Sequence, residues 1–106
     1  AEPNSLILTC EGETIRLYES DILYVEAFRH YIIIHMGQEE CRIKESISAF
    51  SEKLSGDFYR THRSCLVSLK HIVRISRTEV LLDDGTRLPL ARGKYDDINR
   101  AFIERN

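Results

Sequence analysis

Two stretches of this chain hold cations and no acid, and their residue types suit contact with phosphates and base edges. Phe58 to Thr78 carries Arg60, Arg63, Lys70, Arg74 and Arg77 together with His62 and His71, and Gly85 to Tyr95 adds Arg87, Arg92 and Lys94. Arginine presents a planar fork of donors that meets two acceptors at once, as on a phosphate or on the O6 and N7 edge of a guanine. The same residues would equally serve as solvated strand faces, the ordinary use of charge. The net charge of −2 argues against an anionic partner, but it hides an asymmetry. Residues 1–57 hold five Lys/Arg against eleven Asp/Glu, whereas residues 58–106 hold ten against six. Positive potential on one face is enough to attract an anionic polymer.

Other chemistry finds little support. His62 and Cys65 are three residues apart, and His30, His35 and His71 are scattered. A thiol–imidazole pair needs mutual geometry, and no catalytic motif surrounds these residues, so an enzyme is not expected. No Cys-x-x-Cys pair is present, and neither a metal nor a cofactor is expected. Cys10, Cys41 and Cys65 are odd in number and far apart, which fits a reducing cytosol better than a secreted disulfide framework. Cys65 has two readings. A cationic neighbourhood could lower its pKa and make it a redox switch, or it could be a small buried hydrophobe. The longest strongly apolar stretch, Tyr31–Ile34, falls far short of the roughly 20 residues of a membrane span. A cytoplasmic protein without a membrane segment is the expectation.

The elements that must position these side chains are mostly short strands. At 106 residues, 42% hydrophobic and 30% charged, the chain is sized for one domain. Residues 1–5 read as a tail or linker remnant and residues 6–106 as the folded domain. Ser5–Cys10 and Thr14–Tyr18 flank a hairpin turn at Glu11-Gly12-Glu13, with Ile15 and Leu17 facing inward. Asp21–Ala27 and Tyr31–Met36 are strands separated by Phe28–His30, and Gly37-Gln38 turns the chain into Glu39–Lys44. Ser46 caps a helix through Ile47, Phe50 and Leu54, which Gly56 is expected to stop in the left-handed conformation. Phe58–Val67 reads as a strand end passing into a loop or single helical turn. Ile72–Arg77 and Glu79–Leu82 are strands, followed by a turn at Asp83-Asp84-Gly85-Thr86. Arg87–Ala91 pairs back, with Pro89 marking an edge. Tyr95, Ile98 and Phe102 lie on one face of a last helix, whose first turn carries Asp96 and Asp97.

Three segments together resemble the LytTR family of DNA-binding domains. They are Asp21-Ile22-Leu23-Tyr24-Val25-Glu26-Ala27 followed by Arg29-His30-Tyr31 and a strand to His35; Phe58 through Val67; and Asp84-Gly85-Thr86-Arg87-Leu88-Pro89-Leu90-Ala91-Arg92. With the helix between the first two, the resemblance runs from about Leu6 to Ile103. It implies a mainly β, elongated fold of about ten short strands in three small antiparallel sheets with one or two short helices. It also implies loops, rather than a recognition helix, entering successive major grooves of double-stranded DNA at promoter direct repeats. A receiver domain N-terminal to the chain and a second copy alongside on the DNA are further implications. The chain departs from the family's pattern twice. Many members carry Gly-Asn-Tyr where this chain has Arg29-His30-Tyr31, which bears on the bases preferred. Ser68 replaces the usual Asn after Leu66-Val67, which bears on a turn.

By this resemblance His30, Arg63 and Arg92 are base readers. His30 falls in a break between strands, where imidazole can donate to or accept from a base edge; otherwise it is an ordinary surface histidine. Arg63 suits guanine, while the Asn found there in other members would favour adenine; its plainer role is an exposed ion pair. Arg92 precedes Gly93, which permits a close backbone approach. Arg29, Ser64 and Lys94 are candidate phosphate contacts and Arg77 a weaker one; such contacts set register without carrying sequence information. Arg60 and His62 stay ambiguous, since strand alternation could turn either inward. The rival function is a protein-interaction or dimerisation module built on an exposed sheet edge, which would explain the strands but not the acid-free clusters.

Overall fold

The computed structural model describes residues 4–105; residues 1–3 of the expected tail lie outside the described residues. Strand β1 (Ser5–Cys10) pairs with β2 (Glu13–Tyr18) in an unbroken register from Ser5↔Tyr18 to Cys10↔Glu13. The turn between them is where the sequence places it. Glu11 and Gly12 have φ of 50° and 85°, the left-handed pair that lets a two-residue loop follow the twist of its strands. A 3₁₀ turn, Glu19–Asp21, leads into β3 (Tyr24–Ala27), β4 (Ile32–Met36) and β5 (Glu39–Ile43). Helix α1 (Ile47–Ser51) comes next, then β6 (Phe58–His62) and β7 (Cys65–Ser68). A second 3₁₀ turn, Leu69–His71, precedes β8 (Ile72–Ile75), β9 (Glu79–Leu82), β10 (Arg87–Pro89) and α2 (Tyr95–Arg105). All pairing is antiparallel, in three sheets: β1-β2, β5-β4-β3-β7-β6 and β10-β9-β8. Pro89 sits on an edge strand, where its missing N–H costs no ladder bond.

The five-stranded sheet is covered on one face along its length and on the other only over β3, β7 and β6, within a body of 39 × 36 × 24 Å. One face packs Val25, Ile32, Ile34, Cys41 and Leu66 against Leu8 and Leu17 of the first hairpin and Ile47 and Phe50 of α1. The other face packs Leu23, Cys65 and Val67 against Val80, Leu82 and Leu88 of the three-stranded sheet and Ile98 of α2. Successive residues of β7 therefore serve opposite cores, and all four are buried. A strand buried on both sides loses the polar–apolar alternation by which strands are read.

Two expectations are corrected. The segment Phe58–Val67 is not a strand running into a helical turn but most of a β-hairpin, with His62↔Cys65 closing a two-residue turn and a register shift between Arg60 and His62. The middle helix does begin on the Ser46 cap, whose Oγ accepts the Ala49 N–H at 3.0 Å, but it ends at Ser51 rather than running on to Leu54. The Ser55 N–H and hydroxyl donate to the Glu19 carboxylate at 3.1 and 2.7 Å, which draws the chain away from the helix. Gly56 is not left-handed. A side chain there would instead collide with the Arg105 guanidinium, which pairs with Asp57 at 3.6 Å.

His71 ties two sheets together and makes stability depend on pH. Its Nδ1 lies 2.8 Å from Asp83 Oδ2 and its Nε2 2.7 Å from the Ser20 carbonyl, so both ring nitrogens face acceptors. Partial burial pulls its pKa down, but the Ser20 carbonyl and the Asp83 carboxylate, with Asp84 nearby, outweigh this and hold it above the ordinary value. A raised folded-state pKa means the contribution is complete below the unfolded value and is lost as pH rises through the folded one. The thermal midpoint should therefore fall as pH is raised from about 6 to about 8, and His71→Gln should flatten that slope. Equal slopes for the two proteins would show that His71 is not the responsible group.

Candidate nucleic-acid interface

The base-reading candidates read from sequence lie on three connections joined by backbone hydrogen bonds at one edge of the molecule. The first joins β3 to β4. Ala27 pairs with Ile32, and the Phe28 N–H donates to the Tyr31 carbonyl at 2.8 Å, leaving Arg29 and His30 as the loop's two central residues. Both are exposed. The second is the β6–β7 turn, with exposed Arg63 followed by half-buried Ser64. The third is the segment after β10, where exposed Arg92 is followed by Gly93 at φ 84°, a conformation that favours glycine.

Backbone hydrogen bonds join these connections to a common support. The Ala27 N–H donates to the Ser64 carbonyl at 2.8 Å, which sets the first loop beside the second. The Ala91 N–H donates to the Thr61 carbonyl at 2.8 Å, which sets the third beside the strand leading into the second. Thr61 lies at the register shift of β6, and a bulge of this kind re-aims the residues after it. The turn itself is braced from within. The Arg60 guanidinium donates to the Arg63 carbonyl at 2.5 Å and reaches Ser48 Oγ on α1 at 3.4 Å. The Ser64 N–H donates to His62 Nδ1 at 3.3 Å, which makes that nitrogen an acceptor. Arg60 and His62, ambiguous in the sequence, are thus supports of the turn.

The cations of this edge carry no carboxylate partners among the described residues, a state they share with exposed Arg16 and Arg74 elsewhere. Five of the fifteen cations form carboxylate pairs: Lys53–Glu45, Lys70–Asp57, Arg87–Glu79, Arg100–Asp97 and Arg105–Asp57. Among the described residues Arg29, Arg63, Arg92 and Lys94 have no such partner. Two carboxylates near the edge are engaged elsewhere, Glu26 by His35 at 2.7 Å and Glu45 by Lys53 at 2.9 Å. An unpaired exposed guanidinium keeps its donors for a ligand.

The phosphate candidates are placed less uniformly. Lys94 is half-buried, with Nζ donating to the Arg60 carbonyl at 3.1 Å and lying 5.7 Å from the centre of the Tyr59 ring. It braces the support and keeps two further donors. Arg77 stands beyond β8 with its guanidinium 4.4 Å over the Tyr95 ring, and it shares a shallow groove with Arg92, Gly93 and the acid Asp96. Cys65 is buried, and burial pushes its thiol up, the opposite of the activated thiolate that a redox switch requires. Lys44 is a cation not singled out by the sequence patterns. It lines a groove with Arg29 and His30, and its signal is its outward place at the end of β5, masked by the acidic half of the chain around it.

Comparison with known proteins places the chain in a family. Residues 12–103 match the family model of the LytTr DNA-binding domain. Among solved structures, the LytTr DNA-binding domain of a Bacillus cereus protein assigned as a methyl-accepting/DNA response regulator superposes with a TM-score of 0.77. It is 24% identical, and the match covers 97% of this chain and 98% of that one. A comparison with curated proteins returns no match. With a family model covering most of its length and the same three-sheet architecture, this chain belongs to the LytTr DNA-binding domain family.

Proposed function

We propose that this domain binds double-stranded DNA sequence-specifically at promoter direct repeats, as the cytoplasmic output half of a two-component response regulator with an N-terminal receiver domain. The observation that supports this reading best is the single edge bearing His30, Arg63 and Arg92, all exposed, with the two arginines free of carboxylate partners among the described residues. His30 and Arg63 sit on adjacent turns, and Arg92 comes after a segment hydrogen-bonded to the strand beneath Arg63. The three connections enter successive major grooves on one side of the duplex, their side chains reading base edges. Arg29, Ser64, Arg77 and Lys94 contact phosphates and fix register. Two copies occupy repeats about one helical turn apart, with little contact required between them.

Selection of bound duplexes from a random pool tests the proposal. The expected result is enrichment of a short motif occurring twice in the same orientation, with about 10 base pairs between centres. A pool that stays random after repeated rounds would sink the reading. A motif enriched only as a single copy would remove the direct-repeat part.

A further inference from the structure

The proposed DNA-facing edge carries an aromatic ring that the cationic contacts leave unused. Phe28, at the base of the first loop, is 45% exposed. Scattered exposed apolar residues are ordinary. Phe28 differs in that its ring is held: it stacks on Tyr31 with centroids 5.1 Å apart and planes 20° from parallel. The Arg42 guanidinium in turn lies 4.5 Å from the centre of the Tyr31 ring. These contacts restrict the rotamers of an exposed phenylalanine before any partner arrives, so little side-chain entropy remains to be lost on binding.

We propose that Phe28 reads the C5 methyl group of a thymine in the groove that His30 enters, an inference that rests on this edge facing DNA. Thymine is the base that shows an apolar group in the major groove, and a phenyl ring is a suitable partner for it. The position fits. Phe28 lies two residues before His30, outside the two-residue loop whose closing hydrogen bond its own N–H supplies. A ring at the base of the loop meets a base edge beside the one read by the tip. Apolar wedges between base steps are a device of minor-groove binders, whereas this edge is proposed to enter the major groove. One face of Phe28 is covered by Tyr31. The outward face and edge are what remain, and these suit a methyl contact.

Deoxyuridine tests the proposal directly, because it removes the methyl group and leaves every hydrogen-bonding atom of thymine. On a duplex selected by the wild-type domain, each thymine is replaced in turn, and affinity is measured for wild type, Phe28→Ala, Phe28→Leu and Arg63→Ala. One replacement should weaken wild type about fourfold, the factor expected for losing one buried methyl-sized group. Phe28→Ala should bind the thymine duplex more weakly and no longer distinguish that replacement. Phe28→Leu, with its apolar bulk retained, should keep part of the distinction, and Arg63→Ala should keep all of it. Indifference of wild type to every replacement, on a duplex it still prefers to random DNA, would overturn the proposal and leave the wider reading intact. An unchanged deoxyuridine penalty in Phe28→Ala would do the same. Absence of any sequence preference in wild type would overturn both.

Discussion

Arg63→Ala is expected to weaken the specific complex by about 1–3 kcal/mol, roughly 5- to 150-fold, and to erase preference at one base pair. The magnitude comes from the placement of this arginine. Its guanidinium is exposed, has no carboxylate partner among the described residues, and projects from a turn whose backbone is braced by Arg60 and His62. A donor fork held by a rigid turn loses little entropy when it meets guanine O6 and N7. Affinity for random duplexes should fall much less, since that affinity comes from phosphates. Thermal stability should barely change, because an exposed side chain with no ion-pair partner contributes little to the fold. Arg63→Lys should not restore the preference, as a point charge cannot reproduce a bidentate contact. Measuring specific and random affinities side by side separates these effects. Equal losses on both duplexes would show that Arg63 holds a phosphate instead of reading a base.

Salt should produce the second large effect. Arg29, Arg77 and Lys94 offer three phosphate contacts per copy, which implies a log–log salt slope near −2.7 and a loss of about 40-fold between about 50 and about 200 mM salt. Two copies on paired repeats would compound this to about 10³-fold. Arg29→Ala should reduce the slope by about one unit, and its effect should be equal on specific and random DNA. The rival module built on an exposed sheet edge predicts the contrary, since apolar burial is not weakened by screening. A flat salt dependence would therefore favour the rival and count against the DNA reading.

What the sequence disclosed and what it hid divide along physical lines. Local signals were legible. Glu11-Gly12, Asp84-Gly85 and the Ser46 cap announce their structures because a turn or cap is decided by a few adjacent residues. Strand β5 was equally clear, because Cys41 and Ile43 face the core while Arg42 and Lys44 face water. The β6–β7 hairpin was not legible. Its turn, Arg63-Ser64, lacks the glycine or asparagine that marks such loops, and β7 shows no alternation because both its faces are buried. The early end of α1 was hidden for another reason. It depends on Glu19, thirty-six residues from Ser55, and sequence neighbours carry no record of that bond. The candidate site was legible by residue type and not by assembly. Nothing near His30 in sequence indicates that its loop is hydrogen-bonded to the turn of Arg63.

The separation between the supporting hairpin and the side chains it presents has an evolutionary consequence. His30, Arg63 and Arg92 are exposed, and their side chains take part in none of the hydrogen bonds that join the loops. Those bonds run through the backbone of Ala27, Thr61, Ser64 and Ala91, whose amides and carbonyls are the same whatever side chains stand beside them. A substitution at one of these proposed reading positions is thus expected to change the preferred base while leaving the fold nearly as stable as before. If these residues read bases as proposed, the code of such a domain is free to drift, one base pair at a time, without unsettling its scaffold.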